Sequence, residues 1–179
     1  MKPDIQHGKE FEREWAEAFA PLYKSYRCRF ERVLDSASAG NLVRKADSDF
    51  KLQVESGLYG RPYSFYVECK ASNAGKPFAN YYRSLVKSSQ NSSLQMAARC
   101  GAIAVVAYKD VLTGEIQIWS GKIINVCYPV KRVALNGSPA YHTNLRNLSG
   151  FAESWVISPH LMAMGIQKSG EHLPSGEVE

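Results

Sequence analysis

The first third of the chain repeats hydrophobic positions with two different periods. Residues 7–26 carry bulky apolar side chains at intervals of three and four, which predicts an amphipathic helix with acidic residues near its start. Residues 27–34 then alternate like a short strand. Residues 48–54 and 63–70 alternate with period two, and the intervening GLYGRP is a turn sequence, so these two segments predict a hairpin.

The middle of the chain predicts a second helix and two further strands. Residues 82–100 read as a helix, 102–108 as a buried strand, and 115–120 as another strand after a turn at 112–114. The order α-β-β-β-α-β-β is typical of an α/β protein with a mixed β-sheet flanked by helices.

The periodic signal weakens beyond this point, which divides the chain into three predicted parts. Residues 1–125 form the core, and residues 126–166 hold short pieces between Gly, Pro and Asn that we expect to pack on it as an extension. Residues 167–179 are polar, and we expect a disordered tail there.

The charges are unevenly distributed. The net charge is +5, and no Asp or Glu occurs in residues 69–109 or 116–152. Such segregation indicates a positive surface that meets a polyanion, although a solvated basic surface explains the bias equally well.

Hydrophobicity and cysteine spacing indicate the compartment in which the protein is found. The longest apolar run, residues 102–108, is too short to cross a bilayer, and the first residues lack the apolar stretch of a signal peptide. The four cysteines are widely spaced, which favours free thiols over a zinc site. We therefore expect a protein without membrane association in the cytoplasm, or in the host cytoplasm if the chain is viral.

Three charged residues lie on the polar face of the predicted hairpin: Asp49 on its first arm, and Glu68 and Lys70 on its second. Two converging carboxylates suit a hard divalent cation such as Mg²⁺, and the lysine would place a positive charge beside a phosphate. A surface hairpin with cross-strand ion pairs would show the same pattern.

The surrounding sequence resembles the PD-(D/E)XK nuclease superfamily, and within it most closely the archaeal and phage-type Holliday junction resolvases. The likeness covers about residues 7–120. It rests on five segments in order: G-x-x-x-E-R-E at Gly8, Glu12, Arg13 and Glu14; the small-residue loop Ser36–Gly40; Asp49-Phe50; Glu68-Cys69-Lys70; and the strand 101–106. It departs at Ser48, where a Pro or aliphatic residue is usual, in the length of the hairpin, and after residue 125.

The resemblance implies a restriction-endonuclease-like core and a metal-dependent site. Asp49, Glu68 and the carbonyl of Cys69 would ligate Mg²⁺, for which Mn²⁺ could substitute, and Lys70 would position or activate water. Glu12 would complete the site from the first helix, although a solvent-facing glutamate is an equal alternative. Glu10 replaces it if the helical register differs, and Asp47 competes with Asp49.

The resemblance and the charge pattern also suggest DNA contacts. The segment 75–87 mixes basic and aromatic residues, which either contact DNA or, for the aromatics, pack on the core. The predicted DNA-binding residues are Ser38, Arg44, Lys45, Lys76, Tyr82, Arg83 and Lys87.

The expected function is that of a Mg²⁺-dependent, structure-selective DNA endonuclease, a Holliday junction resolvase, that hydrolyses phosphodiester bonds in branched four-way DNA. Two symmetric nicks would require a homodimer. The alternatives are another repair or restriction nuclease of this superfamily and a non-catalytic DNA-binding protein.

Overall fold

A computed structural model describes residues 3–33, 48–55, 60–73, 75, 78, 85–121 and 139–169. Its helices and strands, in chain order, are α1 (Pro3–Lys24), β1 (Arg29–Arg32), β2 (Phe50–Val54), β3 (Tyr63–Ser72), α2 (Ser88–Arg99), β4 (Ile103–Asp110), β5 (Glu115–Ser120), β6 (Tyr141–Asn144), α3 (Leu148–Ile157) and α4 (Pro159–Ser169). A 3₁₀ turn, Leu145–Asn147, precedes α3. The predicted hairpin and the strand at 115–120 are present, while α1 begins four residues earlier than expected.

The strands form one six-stranded sheet in the order β1-β2-β3-β4-β5-β6. Strands β3 and β4 run parallel, with α2 in the connection between them, and the other neighbours run antiparallel. A parallel pair needs a crossover of this kind, whereas antiparallel strands can be joined by short turns. The prediction of an α/β protein with a mixed sheet flanked by helices is confirmed.

One face of the sheet is covered by α1, α3 and α4. Alternate residues of β2 and β3, such as Phe50 and Phe65, point into this core. There they meet Trp15 of α1 and Trp155 of α3, whose ring centroids lie 5.9 Å apart. The apolar alternation of the hairpin therefore determines which face carries the main core and leaves the opposite face for polar residues.

The opposite face carries a smaller core under α2. Leu94 of the helix lies over Val106 and Tyr108 of β4 and Trp119 of β5, and the buried Phe78 joins them. Helix α2 therefore lies on the face to which Glu68 and Lys70 belong, because these residues alternate with the main-core residues of β3.

The C-terminal part is continuous with the rest of the fold. Strand β6 extends the sheet beside β5, and α3 and α4 contribute Leu148, Trp155 and Ile166 to the main core. Helix α4 continues through Ser169, so residues 167–169, where we expected a disordered tail to begin, are helical. Residues 170–179 lie outside the described part. No helix in the described ranges is long and apolar enough to cross a membrane.

Candidate active site

Asp49 immediately precedes β2 and is held there by hydrogen bonds of its backbone and of its side chain. Its amide donates to the carbonyl of Val67 at 3.1 Å, and its own carbonyl accepts from the amide of Val33 at 2.8 Å. Its carboxylate oxygen Oδ2 accepts a hydrogen bond from the amide of Cys69 at 2.7 Å. The aspartate is thereby fixed against the strand that carries the glutamate and the lysine.

Ser48, the residue that departs from the family pattern, has a structural role. Its buried hydroxyl donates to the carbonyl of Phe50 at 3.1 Å. The hydroxyl thus satisfies a backbone acceptor at the start of the strand, which an aliphatic residue could not do.

Glu68 and Lys70 form a buried ion pair on β3. Glu68 is only 1% exposed, and its Oε1 accepts a hydrogen bond from the ammonium of Lys70. A carboxylate withdrawn this far from water needs such a partner, because burying an unpaired charge is costly. In the antiparallel register Phe50 lies opposite Val67, so Asp49 lies opposite Glu68. The lysine, two residues after Glu68, is therefore on the same face as Asp49.

Gln90, in the first turn of α2, contacts the candidate site and was not predicted from the sequence. Its Nε2 donates to the same Oε1 of Glu68 that receives Lys70. Its Oε1 accepts from the amide of Lys87 at 3.0 Å, which is the reciprocal half of a capping box. No local signal in the sequence marked Gln90, because Lys87 lacks the acceptor side chain of a recognisable N-cap and the helix was predicted to begin at 82.

Glu12 approaches the cluster from α1. Its side chain is 19% exposed and pairs with Nη2 of Arg32 at 2.5 Å. It lies close enough for its charge to raise the pKa of both Asp49 and Glu68. Glu10, the alternative in a shifted register, instead accepts a hydrogen bond from Gln6 at the exposed side of the helix.

The other acidic residue of the G-x-x-x-E-R-E pattern is engaged elsewhere. Glu14 pairs with the ammonium of Lys109 on β4 at 2.5 Å. Asp47, the competitor of Asp49, lies outside the described residues.

The carboxylates of the cluster repel one another. Burial, reinforced by the negative charge of Glu68, raises the pKa of Asp49 to about 7, although Lys70 and the Cys69 amide oppose the rise. Burial likewise raises the pKa of Glu68 against the influence of Lys70. Burial would lower the pKa of Lys70, but Glu68 and Asp49 reverse this and raise it, so the lysine remains a cation.

The donor set agrees with a hard cation only in part. Asp49 and Glu68 supply oxygens and an excess of negative charge that a divalent cation would neutralise. Within the described ranges, no three His, Cys, Asp or Glu side chains are arranged as a metal-binding group. Mg²⁺ does not require one, since it binds proteins through one or two carboxylates plus waters and substrate phosphates. The thiol of Cys69 is buried and its pKa is raised, so of this residue only the backbone carbonyl is a candidate ligand.

The predicted DNA-binding residues are mostly beyond the described part of the chain. Lys87 is described: it is exposed immediately before α2, and its charge lowers the pKa of Glu68. Phe78, one of the aromatics between residues 75 and 87, is buried against Tyr108 at a centroid distance of 4.9 Å and therefore belongs to the core. Those outside the described residues are Ser38, Arg44, Lys45, Lys76, Tyr82 and Arg83.

Comparisons with known proteins do not assign the chain to a family, because no protein-family model and no curated protein matches it.

Proposed function

We propose that this protein is a Mg²⁺-dependent endodeoxyribonuclease that hydrolyses phosphodiester bonds at the Asp49–Glu68–Lys70 cluster. The proposal rests chiefly on one observation. Asp49 and the buried Glu68–Lys70 pair share one sheet face at the edge where Glu12 also approaches. A group of acidic residues held together against their own repulsion is costly to the fold, and such costs concentrate at functional sites.

The topology supports a restriction-endonuclease-like core. The order expected from the sequence was α-β-β-β-α-β-β, with a mixed sheet flanked by helices. In this chain α1, β1–β3, α2 and β4 follow that order, and β3 and β4 are parallel. The aspartate precedes β2 and the E-x-K triplet lies within β3, on adjacent arms of one hairpin.

Each residue has a separate task in this mechanism. Asp49, Glu68 and the Cys69 carbonyl would hold Mg²⁺, which, when bound, supplies charge neutralisation at the phosphate and makes water a better nucleophile. Lys70, held by Glu68, presents a permanent positive charge where negative charge develops on the phosphate, and it orients the attacking water. Gln90 fixes the rotamer of Glu68, and Arg32 fixes that of Glu12.

The substrate we propose is branched DNA, cut by a homodimer. One cluster can cut one strand, and resolving a four-way junction requires paired nicks, which a two-fold axis would supply. Segments without any acidic residue, 69–109 and 116–152, are compatible with a broad positive surface for several DNA arms.

The test is cleavage of labelled four-way junctions and of linear duplexes of the same arm sequence, with Mg²⁺ or with EDTA. We expect Mg²⁺-dependent paired nicks in the junction, and a dimer by light scattering. Cutting of linear duplex as readily as junctions would exclude the resolvase but retain the nuclease. DNA binding without cleavage in Mg²⁺ or Mn²⁺ would favour a non-catalytic DNA-binding protein, in which the Glu68–Lys70 pair is an ordinary ion pair.

A further inference from the structure

A groove opens beside the cluster, between β3 and the exposed side of α2. It has a volume of about 400 Å³ and is lined by Tyr66, Ser92, Ser93, Met96, Ala97 and Cys100. Tyr66 precedes Glu68 by two residues and therefore lies on the same face of β3, about 7 Å along the strand. The groove is thus continuous with the face that carries the proposed active site.

Tyr66 forms one wall of this groove as a partly buried aromatic ring. The ammonium of Lys51, its cross-strand partner, lies over one side of the ring, 5.0 Å from the centroid. On the side of α2 the ring borders the groove. An aromatic plane backed by a cation is a suitable stacking surface for a heterocyclic base next to a negatively charged backbone.

The charges around the groove suit the same ligand. Helix α2 contains no acidic residue, and Ser92 and Ser93 offer hydroxyl groups along the opposite wall. The carboxylate of Glu31 lines a separate, smaller depression that also borders Tyr66 and Lys51. That carboxylate is already paired with Arg29 at 2.5 Å. A DNA strand entering the groove would therefore meet the serine hydroxyls and no acidic residue of α2, with the Lys51 ammonium over the Tyr66 ring.

We propose that the groove binds one unstacked nucleobase of the DNA strand that is cut, with Tyr66 as its stacking surface. The inference rests on the proposed nuclease function and deepens it. A base can enter the groove only if it has left its helical stack, so the enzyme would favour substrates with an unpaired or splayed nucleotide beside the cut. A branch point supplies such nucleotides and an intact duplex does not.

Cys100 offers a direct probe of the groove because its exposed thiol is one of the lining groups. The buried Cys28 and Cys69 are shielded from reagents, and Cys127, outside the described residues, is removed by Cys127→Ser. The full-length protein in EDTA is treated with a fluorescent maleimide, alone, with a single-stranded oligothymidylate, or with a blunt duplex. We expect the single strand to protect Cys100 and the duplex to protect it much less.

Variants at Tyr66 separate stacking from general binding. Tyr66→Ala should weaken binding of the single strand by about 5- to 100-fold and abolish the protection, because each stacked base contributes on this scale. Tyr66→Phe retains the ring and should behave like the parent. Tyr23→Ala, at an exposed tyrosine of α1, is the matched control and should change neither measurement.

A second measurement leaves Tyr66 unchanged and therefore does not depend on whether Tyr66→Ala folds. Prior alkylation of Cys100 in the otherwise unchanged Cys127→Ser protein should block the groove and weaken single-strand binding to a similar extent. Rapid labelling of Cys100 under saturating DNA, or unaltered binding after alkylation, would overturn the groove assignment. Junction cleavage measured on the same preparation separates the two proposals: cleavage without protection contradicts the groove alone, whereas protection without cleavage in Mg²⁺ contradicts the nuclease alone.

Discussion

Replacing Asp49 with Asn tests whether the candidate site carries unfavourable charge in the absence of metal. Asparagine keeps the size of the side chain and an oxygen that can accept the hydrogen bond from the Cys69 amide. It removes the negative charge that lies against Glu68 and Glu12. We expect the Asp49→Asn variant to be more stable than the wild type in EDTA, although it would be inactive as a nuclease.

The magnitude follows from the raised pKa. The carboxyl group titrates at about 7 in the folded protein against 3.8 in the unfolded chain, and a difference of about 3 corresponds to about 4 kcal/mol. Water reaching the partly exposed side chain screens some of this, so we expect about 2 to 4 kcal/mol. Between these pKa values the folded protein binds more protons, so wild-type stability falls as pH rises from about 4 to about 7 and then levels off. The advantage of the variant should be fully present at about pH 8.5 and only about two-fifths as large at about pH 5.

Urea unfolding followed by tryptophan fluorescence measures this difference, because Trp15, Trp119 and Trp155 are all buried. Asp110→Asn is the matched control: Asp110 also accepts a backbone hydrogen bond, from the amide of Leu112 at 2.9 Å, and it lies at the end of β4 opposite Ser72, beyond the cluster in the register. It should not reproduce the stabilisation. Adding Mg²⁺ should stabilise the wild type and thereby narrow its gap to Asp49→Asn. An Asp49→Asn variant that is less stable than the wild type at every pH would refute the argument.

Three further predictions concern catalysis, binding and the C-terminal helices. Glu68→Gln and Lys70→Ala should each abolish Mg²⁺-dependent cleavage while leaving DNA affinity within a few-fold of the wild type, since the proposed function assigns both residues to chemistry rather than to docking. Glu17→Gln, exposed on α1, is the control, and a wild-type cleavage rate in either variant would contradict the proposed site. DNA affinity should fall steeply with salt as phosphate contacts release counterions, and an affinity unchanged between low and physiological salt would remove DNA as a partner. Trp155→Ala should destabilise the protein by about 3 to 5 kcal/mol, whereas Ile157→Ala, at an exposed residue of the same helix, should cost little; similar small losses in urea unfolding would show that α3 is not part of the core.

Much of the fold and the pair of site strands could be predicted from the sequence, because local periodicity encodes them. The alternation of Phe50, Leu52 and Val54 marks a half-buried strand, and Phe65 and Val67 mark its partner. Once two such strands form a hairpin, period two alone puts Asp49, Glu68 and Lys70 on the remaining face. No long-range information is needed for that placement.

The C-terminal third was beyond this kind of prediction. The sequence of α3 and α4 contains Gly150, Pro159 and Gly165, and Ser158 lies between the two helices; these residues are loop signals in isolation. Helices α3 and α4 are nevertheless stabilised, because they bury Trp155 and its neighbours against α1 and the sheet. Tertiary packing of this kind routinely outweighs local preference, and no local pattern reports it.

The partners of the site residues were likewise decided by tertiary structure alone. Gln90 meets Glu68 across 22 positions of sequence, and Arg32 meets Glu12 across 20. The groove at Tyr66 forms because α2 packs back over β3, the strand that precedes this helix in the chain. The sequence determined which residues share a strand face; the crossover between β3 and β4 and the packing of α1 determined what those residues touch. The physical reason is that periodicity orients a side chain relative to its own element, whereas its neighbours depend on how separate elements bury their apolar faces together.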